Sequence, residues 1–279
     1  MIASLRTLLS RRPRADKAGV IRPARISQYE TYASRRYKAG LRSWKRAIDR
    51  QLLPILGLPL VISILLGILS RETLGFLTGL TAGCCITLWI ALSEEAPSYL
   101  QSWRAGAEGE RRTHKEIVKL GWPAVEDVDC GRGNYDHVLV GASGIFMLET
   151  KNLMGVVEIR DGVPWLRRRH DPEGEKCLSA IAKQARGNSA ALCHELERRG
   201  AGRHWVTAVV VWWTEFPQEL VKAEHITHVH GTRLGDWLAS HLPALSPDTV
   251  ARIAGALTGL KAEGDIREQQ RQHGASDQA

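Results

Sequence analysis

Two carboxylates and one ammonium group lie within a short stretch of otherwise apolar sequence. Residues 134–152 read NYDHVLVGASGIFMLETKN, which is two apolar runs joined by a loop with a glycine at each end. The first run contains Asp136, and the second contains Glu149 and Lys151. A buried carboxylate is costly unless it is paired or binds a metal. These three residues are therefore the first candidates for a chemical site.

The register of the predicted hairpin brings the two carboxylates together. If residues 141–144 form the loop, Val140 pairs with Ile145, and counting outward along the two strands places Asp136 opposite Glu149. Directly opposed side chains have Cβ atoms about 5 Å apart, and like charges there are destabilising. Side chains alternate between the faces of a sheet, so Lys151 lies on the same face as Glu149. The pair of acids therefore requires a cation between them.

Oxygen ligands in this arrangement are typical of a magnesium site. Mg²⁺ takes one or two protein carboxylates and keeps waters and substrate phosphate oxygens as its other ligands. A lysine beside the ion can orient the attacking water, accept its proton if the lysine pKa is depressed, or balance the phosphate charge. The pattern predicts bound Mg²⁺ or Mn²⁺ at Asp136 and Glu149.

A helix predicted from about residue 106 to residue 120 brings a further acid into consideration. Positions 110, 114, 117 and 121 share one helical face, so Glu110 and His114 lie on a stripe with Ile117 that should pack against the sheet. Alternatively, Glu110 is a first-turn acid favoured by the helix dipole, a role that Glu108 fills equally well. The helical periodicity alone leaves both interpretations open.

His137 is predicted to face away from the two acids. It follows Asp136 directly, and strand alternation turns its side chain to the other face of the sheet. We expect it to make a structural hydrogen bond rather than to bind a metal there.

The remaining pattern predicts a mixed α/β domain. Asp161-Gly162 is a hairpin turn signal within the ribbon VVEIRDGVPWLRR, and Gly200 ends a predicted helix. Strands are expected near 125–129, 205–213 and 225–230, and helices near 178–199, 233–241 and 247–261. The polar tail from residue 264 to residue 279 is predicted to be disordered.

Together these motifs resemble the nuclease-related domain (NERD) family, a branch of the PD-(D/E)xK nuclease-like fold. The resemblance covers about residues 104–240 and rests on the order of four segments. They are GAEGERRTHKEIVKL, YDHVLVG, LETKN and the helix with AKQARGNSAAL. It implies a restriction-endonuclease-like mixed sheet flanked by helices.

The resemblance also implies a role for each candidate residue. Asp136 and Glu149 would be metal ligands, Glu110 an additional acid at the metal, and Lys151 the residue that positions water. Gln184 would be a polar residue that points into the site from the following helix. The implied activity is metal-dependent hydrolysis of phosphodiester bonds in nucleic acid, with DNA expected rather than RNA.

Charge distribution favours an alternative function. Residues 1–50 contain fourteen Lys and Arg against three acids, a balance of +11, whereas the total of 38 against 30 leaves 24 against 27, or −3, for the rest. Strong binders of nucleic-acid backbones are usually basic. The alternative is a scaffold that retains the nuclease fold and binds nucleic acid or a protein without cleavage.

Five cysteines without CxxC spacing support neither a disulfide framework nor a cysteine zinc site.

Two uncharged stretches before the α/β region predict a membrane anchor. Residues 52–69 and 73–92 each have about the length that spans a bilayer, and both lack charge. A basic amphipathic helix from about Tyr29 to Ile48 precedes them and is expected to lie on the anionic leaflet. Positively charged flanks stay cytoplasmic. The prediction is a two-pass inner-membrane protein with both termini in the cytoplasm.

Three glycines of the second uncharged stretch, Gly75, Gly79 and Gly83, give a smooth helical face. This face favours packing within the hairpin and, as a second interpretation, a homodimer.

The predicted chain organisation has five parts. They are the basic segment 1–50, the hairpin 51–93, a linker 94–103, the nuclease-like domain 104–240, and a terminal helix with the tail at 241–279.

Overall fold

A six-stranded mixed sheet lies at the centre of one of two compact units. The structure is a computed structural model and describes residues 31–69, 74–94, 97–129, 134–168 and 171–276. One unit is Tyr32–Ala107, and the other contains Thr31 and runs from Glu108 to the end of the chain. All five predicted site residues lie in the second unit.

The strands form two separate sheets. In the larger sheet the order is β1-β2-β3-β7-β9-β8, and in the smaller sheet it is β4-β5-β6. Strand β3 is parallel to β7, and β7 is parallel to β9, whereas the other neighbours are antiparallel. The strands are β1 (Ala124–Asp129), β2 (Asn134–Gly141), β3 (Gly144–Lys151), β4 (Val156–Arg160), β5 (Val163–Arg168), β6 (Asp171–Cys177), β7 (Val206–Trp212), β8 (Leu220–Ala223) and β9 (Ile226–His230).

Helices cover both faces of the larger sheet. Apolar residues of α4 and α6 share one core with Val138, Met147 and Val210. Ile117 of α3 and the apolar residues of α5 share the other core with Leu148. The helices are α1 (Tyr32–Leu69), α2 (Leu74–Glu94), α3 (Ser98–Leu120), α4 (Ser179–Arg198), α5 (Leu234–Ala239) and α6 (Pro247–Ser276). The mixed α/β fold that the sequence predicts is therefore confirmed, and it is consistent with a nuclease-like domain.

The register of the central hairpin agrees with the predicted one. His137 pairs with Leu148, and Gly141 pairs with Gly144, so the strands extend to a two-residue turn at residues 142 and 143. The turn is therefore two residues shorter than the predicted four-residue loop, but the predicted pairs of facing residues are unchanged. Strand β3 also pairs with β7, which places Glu149 beside Val210 in the interior of the sheet.

Several elements differ from the predicted ones. Helix α3 begins at Ser98, within the predicted linker, and strands β6 and β8 were not predicted. Helix α6 continues to Ser276, so most of the tail that was predicted to be disordered is helical. The buried face of α6 packs against β1 and β2. Good helix formers such as Arg, Glu and Gln then extend the helix beyond its packed part.

The structure contradicts the predicted membrane hairpin. The first uncharged stretch is the second half of α1, which continues without a break from the basic segment, and α2 contains the second stretch. Within the described parts of the chain, no helix is both long enough and apolar enough to cross a membrane. The predicted anchor at residues 52–92 and the inner-membrane location with cytoplasmic termini are therefore wrong. A lack of charge over about 20 residues is needed for a span but does not establish one.

Gly79 and Gly83 of α2 make no close contact with another helix among the described residues. A Cβ atom added at Gly79 or at Gly83 would meet nothing within 4 Å. Helices α1 and α2 pack together within their own unit, but these two glycines do not mediate that packing. The predicted homodimer through Gly75, Gly79 and Gly83 stays a prediction. The predicted start of the basic helix at Tyr29 lies outside the described residues.

Candidate active site

Glu149 is the most deeply buried acid of the candidate site. Its side chain is 3% exposed, and its Oε1 atom accepts a hydrogen bond from Lys151 Nζ at 2.6 Å. The same oxygen accepts a hydrogen bond from Gln184 Nε2 at 3.3 Å. The other oxygen, Oε2, is buried and has no hydrogen-bond partner among the residues that the structure describes. A buried carboxylate oxygen without a donor is a natural position for a cation.

Asp136 lies at the same end of the hairpin. Its Oδ2 atom accepts a hydrogen bond of 2.8 Å from the backbone N–H of Thr150. Burial raises the pKa of Asp136 well above its usual value, and the negative charges of Glu149 and Glu110 raise it further. Lys151 and the Thr150 N–H act in the opposite direction. Asp136 and Glu149 therefore lie close enough to repel each other, as the hairpin register predicts.

Glu110 of helix α3 reaches the same acids. Burial raises its pKa to about 7, although a hydrogen bond with Thr31 lowers it. Asp127 and Glu149 raise this pKa as well, and the ammonium of Lys151 lowers it. The predicted stripe on α3 does face the sheet, because His114 and Ile117 are fully buried. Glu110 is thus part of the acidic cluster. It is not a first-turn acid, because helix α3 begins at Ser98.

Lys151 is a charged partner of the acids. Burial lowers its pKa, but the charges of Glu149, Asp136 and Glu110 outweigh that effect and raise the pKa above its ordinary value. Its side chain is 24% exposed, so the ammonium is at the mouth of the cluster. In this arrangement Lys151 holds its proton. A role for Lys151 as a base with a depressed pKa, which the sequence leaves open, is therefore not supported.

Charge balance in the cluster fits a divalent cation. Three acids, Asp136, Glu149 and Glu110, face a single lysine, and burial of the acids favours neutralisation of their charge. Hard cations such as Mg²⁺ and Mn²⁺ prefer carboxylate oxygens. The unpartnered Oε2 atom of Glu149 is available to such an ion. The residues present therefore fit a divalent metal site.

The positioning of the helix against β3 involves residues that the sequence analysis missed. An added Cβ at Gly109 would lie 2.8 Å from Asn152 Cβ and 3.3 Å from Thr150 Cγ2, so the helix backbone approaches the strand closely. Thr150 Oγ1 bonds Thr113 Oγ1 at 3.1 Å, and Trp213 Nε1 donates to the same Thr113 oxygen at 2.8 Å. The glycine directly before Glu110 is the sequence signal that could have indicated this contact.

His137 lies on the opposite face from Asp136, as predicted. It is fully buried and pairs across the strands with Glu126 of β1. Glu126 contacts His114 of helix α3. Sequence periodicity placed His114 on the buried face of its helix, but it gave no indication that Glu126 and His137 lie near it.

The fold and the site define a mixed α/β domain with an acid-and-lysine centre at one end of its central hairpin. Residues 105–213 match the family model of the nuclease-related domain (NERD). This range contains all five predicted site residues and supports a nuclease-related function for the domain. Comparisons with curated proteins and with solved structures found no match.

Proposed function

We propose that the domain is a nuclease that hydrolyses phosphodiester bonds of nucleic acid, with DNA as the expected substrate and Mg²⁺ or Mn²⁺ as the cofactor. The observation that carries this proposal is Glu149: its carboxylate is buried, bonded to Lys151 on one oxygen, and without a hydrogen-bond partner on the other among the described residues. The nuclease-related domain match at residues 105–213 supports the same function.

Asp136, Glu149 and Glu110 would hold the metal ion. The raised pKa values of Asp136 and Glu110, and the repulsion between the charges of the three acids, make the cluster costly without a cation, so binding relieves a cost that the fold already carries. When bound, such an ion polarises the phosphate and lowers the pKa of a coordinated water. The hydrogen bond from the Thr150 N–H fixes one oxygen of Asp136, which restricts the directions from which the other oxygen can bind.

Lys151 would act as a charged positioning group. Its ammonium holds its proton, so it can donate hydrogen bonds to a water or to a phosphate oxygen but does not serve as a base. Since its side chain is partly exposed, it can contact both a substrate outside and Glu149 inside. Gln184 donates to Glu149 Oε1 and would orient that carboxylate from helix α4.

The experiment that tests this function is divalent-dependent cleavage by the full chain. Supercoiled DNA, linear DNA and RNA would be incubated with Mg²⁺ or Mn²⁺, with the chelated sample as a blank. Asp136→Asn and Lys151→Met should each lower the cleavage rate by about 10²- to 10³-fold, the cost of losing one preorganised group. Equal rates in the wild type and in both variants would refute the assignment.

Matched control variants separate the site from general damage. Asp161→Asn makes the same chemical change as Asp136→Asn, but at an exposed turn residue. Asp161 has a φ of 51°, a conformation that Asn also tolerates. Lys222→Met removes an exposed lysine from β8. Both controls should cleave as the wild type does.

A non-catalytic scaffold is the second candidate, and the charge of residues 51–279 favours it. The balance of −3 over residues 51–279, from 24 basic against 27 acidic side chains, gives the domain little general attraction to a nucleic-acid backbone. Calorimetric titration with Mg²⁺ and Mn²⁺ discriminates the two functions. A scaffold should bind no metal at millimolar concentration, whereas the nuclease should bind it, and Asp136→Asn should abolish that binding.

A further inference from the structure

A second group of potential ligands lies on the other face of the hairpin. The Nδ1 atom of His114 is 2.5 Å from the Oε1 atom of Glu126. One ligand atom from each of His114, Glu126 and His137 can be chosen so that all three lie within 4.8 Å of one another. The two histidines are fully buried, and the side chain of Glu126 is 9% exposed.

Three different elements bring these residues together. His114 comes from helix α3, Glu126 from strand β1 and His137 from strand β2. Glu126 and His137 are direct cross-strand partners, so the sheet register fixes their relative position. The fully buried Ile117 holds the helix against the same face of the sheet. The group therefore rests on the fold and not on a mobile loop.

The ligand chemistry of this group differs from that of the acidic cluster. Two imidazoles and one carboxylate suit Zn²⁺ and similar transition metals, which use three protein ligands and leave a fourth position for water or substrate. In tetrahedral geometry with bonds of about 2.0 to 2.1 Å, neighbouring ligand atoms are about 3.4 Å apart. Small side-chain rotations would bring the three atoms from within 4.8 Å to that separation.

Burial of the three side chains favours a bound cation. His114 and His137 are fully buried, and the side chain of Glu126 is 9% exposed. A divalent ion would compensate for the burial of the Glu126 carboxylate, and imidazole binds such an ion through a neutral nitrogen.

We propose that His114, Glu126 and His137 form a transition-metal site, with Zn²⁺ as the ion of matching chemistry, on the opposite face of the hairpin from the acidic cluster. Nothing in the proposed nuclease function uses these residues. The site joins α3 to β1 and β2. His114 lies one helical turn after Glu110 on α3. A metal here would thus hold the helix that carries Glu110 to the acidic cluster.

The test is a titration of the metal-free full chain with Co²⁺. The visible absorption of bound Co²⁺ reports four-coordinate geometry. Excess Mg²⁺ is present throughout to occupy the acidic cluster. The wild type should bind one Co²⁺ per chain, and Zn²⁺ should displace it. His114→Gln and His137→Gln should each weaken the binding by at least ~100-fold. Equal binding in the wild type and both variants, or no absorption band in the wild type, would overturn the proposal.

His228→Gln is the matched control because His228 is another fully buried histidine of the same sheet. It should bind Co²⁺ as the wild type does, and a loss equal to that of the other variants would overturn the proposal. If a variant is unfolded by circular dichroism, X-ray absorption of the Zn²⁺-loaded wild type decides the matter. Two imidazoles and an oxygen in one shell support the site, and a shell with fewer than two imidazoles refutes it.

Discussion

Lys151 and Glu149, two residues apart on the same face of β3, are joined by a hydrogen bond of 2.6 Å. The carboxylate is 3% exposed and the lysine 24% exposed, so the pair connects the interior of the domain with its surface. The ammonium is thus the main compensation for a buried negative charge in the metal-free chain. Removal of either partner should have effects that a surface ion pair would not have.

Lys151→Met should destabilise the metal-free chain by roughly 3 kcal/mol, because breaking a buried pair leaves a charge uncompensated. The double variant Lys151→Met/Glu149→Gln should regain most of that loss, since the buried charge of Glu149 is then removed as well. Urea unfolding of the three proteins measures both effects. Added Mn²⁺ should restabilise the single variant and not the double one, and equal instability of the two variants would contradict the explanation.

The contact of Gly109 with strand β3 predicts a second effect. Gly109→Ala places a methyl group 2.8 Å from Asn152 Cβ, so helix α3 must move away from the strand. Overpacking of this kind costs about 1 to 3 kcal/mol, and displacement of the helix should also weaken Mn²⁺ binding through Glu110. Thermal unfolding and calorimetry measure the two quantities.

Gly187→Ala is the control for that substitution. Gly187 lies inside helix α4, and an added Cβ would meet nothing within 4 Å. Alanine is the better helix former, so this variant should be stabilised by about 0.5 to 1 kcal/mol. If both alanine variants were equally stable, the close approach at Gly109 would have no structural role.

The sequence predicted the parts of the site that depend on local pairing. Strand alternation and the glycines that bound the turn were sufficient to derive the register, and therefore the meeting of Asp136 and Glu149. Helical periodicity placed Glu110 on the correct face of α3. Gln184 came from the family resemblance and not from spacing, because its contact with Glu149 depends on how α4 packs on the sheet.

Other features could not be read from the sequence because they depend on packing between elements. The contact of His114 with Glu126 joins a helix to a strand, and no periodicity connects the two residues. The docking of α6 against β1 and β2 is another contact between elements that are far apart in the sequence. The membrane hairpin was predicted from the length of two stretches and their lack of charge. These criteria do not measure how apolar a helix is, and the described residues contain no spanning helix.

A pH dependence of stability is expected from His228. Burial and the charge of Arg186 lower its pKa to about 4, and its Nδ1 atom accepts a hydrogen bond of 3.3 Å from Trp212 Nε1. The unfolded chain binds the proton near pH 6.5, whereas the folded chain does so only near pH 4. The contribution of neutral His228 to the unfolding free energy is therefore fully present above the unfolded pKa of 6.5, and it is lost as the pH falls from there to about 4.

His228→Gln removes this titration while its amide oxygen can still accept the indole N–H. Between pH 7 and pH 4 the wild type should lose roughly 2 to 3 kcal/mol more unfolding free energy than the variant. Urea unfolding at a series of pH values measures the difference. Parallel pH profiles would show that His228 does not contribute to acid sensitivity.

The hydrogen bond from Gln184 to Glu149 predicts an effect on metal affinity without a matching effect on stability. Gln184 is exposed, so Gln184→Ala should change the unfolding free energy by less than about 0.5 kcal/mol. Loss of the donor frees Glu149 Oε1 from one of its two constraints, and loss of an outer-shell partner costs about 10- to 100-fold in metal affinity. Lys183→Ala, an exposed neighbour on α4, is the control. Calorimetry with Mn²⁺ should show weaker binding for Gln184→Ala alone, and equal affinities in the two variants would remove Gln184 from the site.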